Sequence, residues 1–105
     1  MNQIDLKNRV AVVTGGAQGI GYAISERLLR SGATVAMWDM DAAKLDEAKA
    51  SLSKLGKVSG YVVELTSDDA VAATTQQTIQ QLGQIDILVN NAGITGGNAT
   101  TWELD

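Results

Sequence analysis

The chain has 105 residues, 45% of them hydrophobic, and its 12 acidic and 8 basic side chains leave a formal net charge of −4. Those values suit one small globular unit spanning 1–105 and argue against a nucleic-acid or anionic-membrane partner. Cysteine and histidine are both absent, which excludes disulfides, thiolate or imidazole metal sites and histidine-based proton transfer within these residues.

No apolar run approaches the roughly 18 residues of a membrane span, and residues 1–9 lack signal-peptide character, so the expected location is the cytoplasm. The first element is VAVVT at 10–14, a short continuous apolar run of the kind a strand carries when both its faces are covered. Residues 20–31 follow with Ile20, Ala23, Ile24, Leu28 and Leu29 at helical spacing, and Gly32 is placed to end that helix in the left-handed conformation. TVAMWD at 34–39 predicts a second buried strand.

Asp41 is positioned to cap a second helix whose apolar stripe is Leu45, Ala48, Leu52 and Leu55, with Gly56 as its stop. Residues 58–64 predict a third strand, weakened by Gly60. Ser67 caps a third helix, with Asp68 and Asp69 in its electropositive first turn, Val71, Thr75, Ile79 and Leu82 facing inward, and Gly83 as the terminator. IDILVN at 85–90 predicts a fourth strand. A Gly/Thr/Asn loop then leads to the start of a further element at 101–104.

Strands alternating with helices imply a parallel sheet with right-handed crossovers and helices on both faces. The expected fold is α/β, a Rossmann-like doubly wound sheet of four strands in the order 3-2-1-4. Ligands of such sheets sit beyond the carboxyl ends of the strands where the order reverses, here between the first and fourth strands. TGGAQGIG at 14–21 follows the first strand, and Asn90-Asn91-Ala92-Gly93 follows the fourth. Both are brought to one crevice.

The glycines of 14–21 have separate uses. Gly15 allows a sharp turn out of the strand, Gly19 removes a side chain where a ligand approaches the backbone, and Gly21 lets the next helix pack closely. That helix presents unpaired N–H groups and the positive end of its dipole, for which a pyrophosphate is the natural occupant. Taken alone, such a loop equally fits a plain strand-to-helix turn. No Lys follows the last glycine, which rules out a nucleoside-triphosphate loop, and the Gly-x-x-x-Gly-x-Gly spacing is looser than the usual dinucleotide fingerprint.

Asp39 ends the second strand about 20 residues after the glycines, where a carboxylate accepts hydrogen bonds from both hydroxyls of an adenosine ribose and repels a 2′-phosphate. Gln18, Met40 and Asp41 supply no counter-charge, so the expected cofactor is NAD in preference to NADP. The plainer reading of Asp39 is a helix cap or a solvated strand end. Asn90 and Asn91 offer two amides to tie backbone across the crevice, and Ala92 and Gly93 leave space for a flat sugar or ring.

With these three motifs the chain resembles the N-terminal, cofactor-binding part of a classical short-chain dehydrogenase/reductase, similar to the 3-oxoacyl reductases and polyol dehydrogenases of that family. The resemblance implies that Gly15, Gln18, Gly19, Ile20 and Gly21 lie along the pyrophosphate and nicotinamide-side phosphate. It implies that Asp39 with Met40 holds the adenosine ribose and that Glu64 and Leu65 contact the adenine, although most relatives carry Asp at the position of Glu64. Asn91, Ala92 and Gly93 would line the ribose side while Asn90 supports the sheet. The implied activity is hydride transfer between a secondary alcohol or ketone and nicotinamide, by a protein that assembles as a dimer or tetramer.

The family's chemistry also needs a Ser, a Tyr-x-x-x-Lys pair and a helix Asn. Four residues after Tyr22 stands Glu26, and four after Tyr61 stands Leu65, so no catalytic residue is assigned. The expectation is a unit truncated before its catalytic half, inactive alone, with the outer edge of its fourth strand uncovered. The competing function is a non-catalytic NAD-binding module; a Ser followed by Tyr-x-x-x-Lys downstream would decide between the two. A purely structural α/β domain would have no use for three motifs at one switch point.

Overall fold

VAVVT is buried at every position and forms β1 (Val10–Thr14), the strand on which the sheet is built. In the computed structural model, residues 5–91 and the backbone of 101–104 are described. Chain order continues with α1 (Gly19–Arg30), β2 (Thr34–Asp39), α2 (Ala42–Leu52), β3 (Val58–Val62), α3 (Asp68–Leu82), β4 (Ile87–Asn90) and β5 (Thr101–Leu104). The sheet order is β3-β2-β1-β4-β5, so the four parallel strands stand 3-2-1-4 as the alternation predicts.

Side chains alternate across β1, and the alternation sorts the two layers. Ala11 and Val13 join Leu28 and Leu29 of α1 and Leu45, Ala48 and Leu52 of α2 in one apolar cluster. Val12 points the other way, with Ala36, Trp38, Tyr61 and Val63, against which Ala70, Val71 and Leu82 of α3 pack. Tyr61 donates from its hydroxyl to Gln81 Oε1 at 2.6 Å, tying the last turn of α3 to β3; burial pushes its phenol pKa upward against a hydrogen bond with Thr78.

Capping follows the sequence closely. Asp41 Oδ1 accepts from Lys44 N at 3.0 Å and Ser67 Oγ accepts from Ala70 N at 3.2 Å, each satisfying an otherwise orphaned helix N–H. Gly83 ends α3 at φ 91°, where only glycine sits without strain.

Three boundaries, one helix face and one sheet edge depart from expectation. α2 ends at Leu52 with Ser53 as its cap, a turn before Gly56, and Leu55 packs on the core from the connecting turn. β3 closes at Val62 because β2 ends at Asp39, whose carbonyl takes the last bridging bond from Val63 N at 3.0 Å. β4 starts at Ile87 and not at Ile85, since the Val10 N–H that would open the ladder is held by the Asp86 side chain, Oδ2 at 2.8 Å. Val71 and Leu82 of α3 pack against the sheet as expected, but the buried residues of the helix are Thr74 and Thr78, and Ile79, expected to face in, is 44% exposed. Ile79 stands at the rim of a cavity of about 250 Å³ that separates this stretch of α3 from Val12, Trp38 and Leu88 of the sheet. Finally, the outer edge of β4 is not bare. β5 pairs with it antiparallel, Ile87↔Leu104 to Asn90↔Thr101, satisfying backbone groups an open edge would expose.

Candidate functional site

The turn after β1 is fixed from beneath. Gly15, at φ 65°, donates its N–H to Trp38 O at 2.7 Å, stitching the loop to the end of β2. A Cβ on Gly16 would lie 2.8 Å from Val13 O and 3.1 Å from the Met37 side chain, so this glycine, which the motif spacing leaves without a role, brings the loop down onto the sheet. Gly19, at φ 58°, has nothing within 4 Å of a Cβ position and faces open space.

Gly21 lies in the first turn of α1, where a Cβ would fall 1.9 Å from Gly15 O. Its missing side chain seats the helix on the loop, a different contact from the helix-to-sheet packing expected. Buried Ser25 secures the same turn by donating from Oγ to Gly21 O at 2.9 Å. The residue before the helix, Gln18, is extended and contributes no side-chain cap, and no acidic residue stands in the first turn of α1. The positive end of this helix is therefore left for an external acceptor, with Ile20 exposed beside it.

Asp39 is only 7% exposed. Its Oδ2 accepts from Ala17 N at 3.3 Å and its Oδ1 from Asp41 N at 3.2 Å. The cap of α2 is Asp41, so the helix-capping reading of Asp39 falls away. Met40, next in the chain, is exposed.

At the other wall, Thr14 and Asn90 are paired in register, and Thr14 Oγ1 lies 3.3 Å from both Val89 O and Asn90 Oδ1. Asn91 donates from Nδ2 to Gly15 O at 3.4 Å. Gly15, Gly21 and Asn91 thus meet at the point where the strand order reverses, the position at which doubly wound sheets take ligands. Ala92 and Gly93 lie outside the described residues.

A cleft of about 400 Å³ opens beside them, lined by Thr14, Trp38, Leu65, Thr66, Asp68 and Asn90 among others. Leu65 lines it. Exposed Glu64 folds onto the β3–α3 turn instead, its Oε1 accepting from Thr66 Oγ1 at 2.8 Å. No spacing rule marks Trp38, Thr66 and Asp68 as cleft residues; Trp38 belongs to β2, and Thr66 and Asp68 stand at the start of α3. The Trp38 Nε1 is buried without a partner among the described residues. None of the residues lining this cleft is a Lys or Arg.

Residues 9–105 match the family described as short chain dehydrogenase. A 3alpha-hydroxysteroid dehydrogenase of Mediterraneibacter gnavus is 41% identical over 93 residues, covering 86% of this chain and 37% of the relative. The crystal structure of an NAD+-bound xylitol dehydrogenase superposes with a TM-score of 0.83 at 35% identity, covering 88% of this chain and 36% of that one. L-Sorbose reductase from Gluconobacter frateurii, complexed with NADPH and L-sorbose, superposes with a TM-score of 0.84 at 31% identity, covering 93% and 38%. The chain accordingly spans less than two fifths of the length of each of these relatives.

Proposed function

We propose a role for a chain that belongs to the short-chain dehydrogenase family: it forms the NAD-binding portion of an oxidoreductase acting on a secondary alcohol or ketone. The observation that carries this reading is the convergence of the uncapped N-terminus of α1 and the Asp39 carboxylate on the β1/β4 switch point. The residues fit a dinucleotide. A pyrophosphate would accept from the loop and first-turn N–H groups of 15–21, in the space that the absence of a side chain on Gly19 leaves open.

Asp39 and Met40 would hold the adenosine ribose, Leu65 with Glu64 the adenine, and Asn91, Ala92 and Gly93 the ribose side of the slot. Bound NAD would supply the hydride-accepting nicotinamide. The residues of this chain would bind and orient the cofactor and keep its phosphates paired, and none of them is assigned a proton-transfer step. Assembly as a dimer or tetramer is part of the same proposal and rests on the resemblance alone.

The preference for NAD rests on local charge. One structural neighbour holds NAD+ and another NADPH, so the residues of this chain must decide. A 2′-phosphate would meet the Asp39 carboxylate, with Met40 and Asp41 following it in place of a cation. Titration of the chain with both cofactors tests the reading: NAD should bind about tenfold or more tightly than NADP, a difference of about 1.4 kcal/mol. Tighter NADP binding would defeat the preference, and binding of neither would defeat the dinucleotide site. Turnover with any alcohol by these 105 residues alone would overturn the assignment of catalysis elsewhere.

A further inference from the structure

We infer that Asp39 is a positioning residue for the glycine loop as well as a ribose acceptor, latching the loop to the end of β2 through the Ala17 N–H before any cofactor arrives. The ligand side of this inference rests on the dinucleotide reading above; the latch itself does not.

Ala17 and Asp39 are 22 residues apart, and the bond between them, Ala17 N to Asp39 Oδ2 at 3.3 Å, joins the middle of the loop to the neighbouring strand. The other tie to β2 is backbone to backbone, Gly15 N to Trp38 O at 2.7 Å, at the loop's root, while Asn91 Nδ2 and Ser25 Oγ hold the carbonyls of Gly15 and Gly16 from the end of β4 and from α1. Ala17 is buried, and a buried N–H left unpaired is costly, so the carboxylate supplies a partner that water is poorly placed to replace. Asp39 is itself buried and held from its second oxygen by Asp41 N. Its two oxygens therefore have fixed directions.

A carboxylate offers about four lone-pair sites, and two are engaged here. The remaining two are left for a vicinal diol, so the bonds that hold the loop also orient the group that reads the ribose. Loop order and cofactor choice are coupled through one side chain. Exchanging Asp39 for a small neutral residue, the simplest way to admit a 2′-phosphate, would also release the segment meant to hold the pyrophosphate.

Amide hydrogen exchange on the cofactor-free chain tests the latch, using the wild type, Asp39→Asn and Asp39→Ser. In the wild type both the Ala17 and Asp41 amides should be protected. Asp39→Ser should accelerate exchange at both by about ten- to a hundredfold, the scale of a lost bond to a charged acceptor. Asp39→Asn, isosteric and therefore the safer variant for folding, keeps one carboxamide oxygen; one amide should stay protected while the other is released, with β1 amides unchanged.

Nicotinamide mononucleotide, which lacks the adenosine ribose, separates positioning from direct contact. It should bind more weakly to Asp39→Ser, in which the loop is released, and equally well if Asp39 only touches ribose. Unchanged Ala17 exchange in both variants, or unchanged mononucleotide binding, overturns the inference. Failure of the wild type to bind NAD or the mononucleotide would instead bring down the dinucleotide reading, and Ala17 exchange would still decide the latch.

Discussion

A Cβ built on Gly21 falls 1.9 Å from the carbonyl oxygen of Gly15 and 2.8 Å from Asn91 Nδ2. No side-chain rotation relieves the first contact, because both partners are backbone. Gly21→Ala must therefore push α1 away from the loop and disturb the Asn91-to-Gly15 hydrogen bond. Overpacking of this kind should lower unfolding stability by about 1–3 kcal/mol, measured by urea denaturation, and weaken NAD binding in parallel. An alanine variant with wild-type stability would show that the helix seat is softer than the geometry requires.

Gly19 makes the opposite case. Nothing lies within 4 Å of a Cβ there, yet its φ is 58°. Gly19→Ala should cost about 1–2 kcal/mol in backbone strain and should damage NAD affinity more than stability, because the new methyl enters the space proposed for the pyrophosphate. Paired thermal melts and NAD titrations check this. Loss of stability with unaltered affinity would place the cofactor elsewhere.

Much of this fold was legible because local signals agreed with one another. Asp41, Ser67 and Gly83 cap the helices the periodicity predicts, and alternating burial along β1 separates the Ala11 and Val13 layer from the Val12 layer. Glycine spacing, Asp39 and Asn91 marked one candidate site because the topology carries them to one end of the sheet. What escaped depended on distance in space. That Thr74 and Thr78 are the buried residues of α3 while Ile79 stays exposed at a cavity rim is something hydropathy does not encode. The late start of β4 follows from a side chain, Asp86, taking a backbone partner. The Ala17 bond to Asp39 involves a main-chain donor, which every residue but proline possesses and no motif marks.

Trp38 lines the cleft with its Nε1 buried and unpartnered among the described residues. A buried orphan donor costs about 1–3 kcal/mol, so its removal offsets lost ring contacts. Trp38→Phe should change stability by no more than about 1 kcal/mol, whereas Trp38→Ala should lose about 3–5 kcal/mol. Chemical denaturation of both variants provides the comparison. A large loss in the phenylalanine variant would mean that the indole N–H has a partner of real energetic weight.

Asp86 gives the fold a pH dependence at the opposite end of the strands from the candidate site. Its Oδ2 accepts from Val10 N at 2.8 Å, Gln84 Nε2 donates to the same oxygen, and Arg9 stands 3.6 Å away. These partners, the Val10 N–H foremost, hold the carboxyl below its ordinary pKa. A carboxylate whose folded pKa is depressed stabilises the native state above its unfolded pKa, and that stabilisation is lost as the pH falls through the folded value. Asp86→Asn keeps one oxygen for Val10 but loses the charge, so at neutral pH it should be less stable by about 1 kcal/mol. The gap to wild type should begin to narrow below about pH 4, where the unfolded chain's carboxyl takes up its proton, and close as the pH falls through the lower folded value. Arg9 is mostly exposed, and an exposed ion pair contributes little, so high salt should leave most of the gap in place. Thermal melts across pH and salt read both effects. A gap that persists unchanged into acid, or that salt abolishes, would assign the stabilisation to something other than the charged bond to Val10.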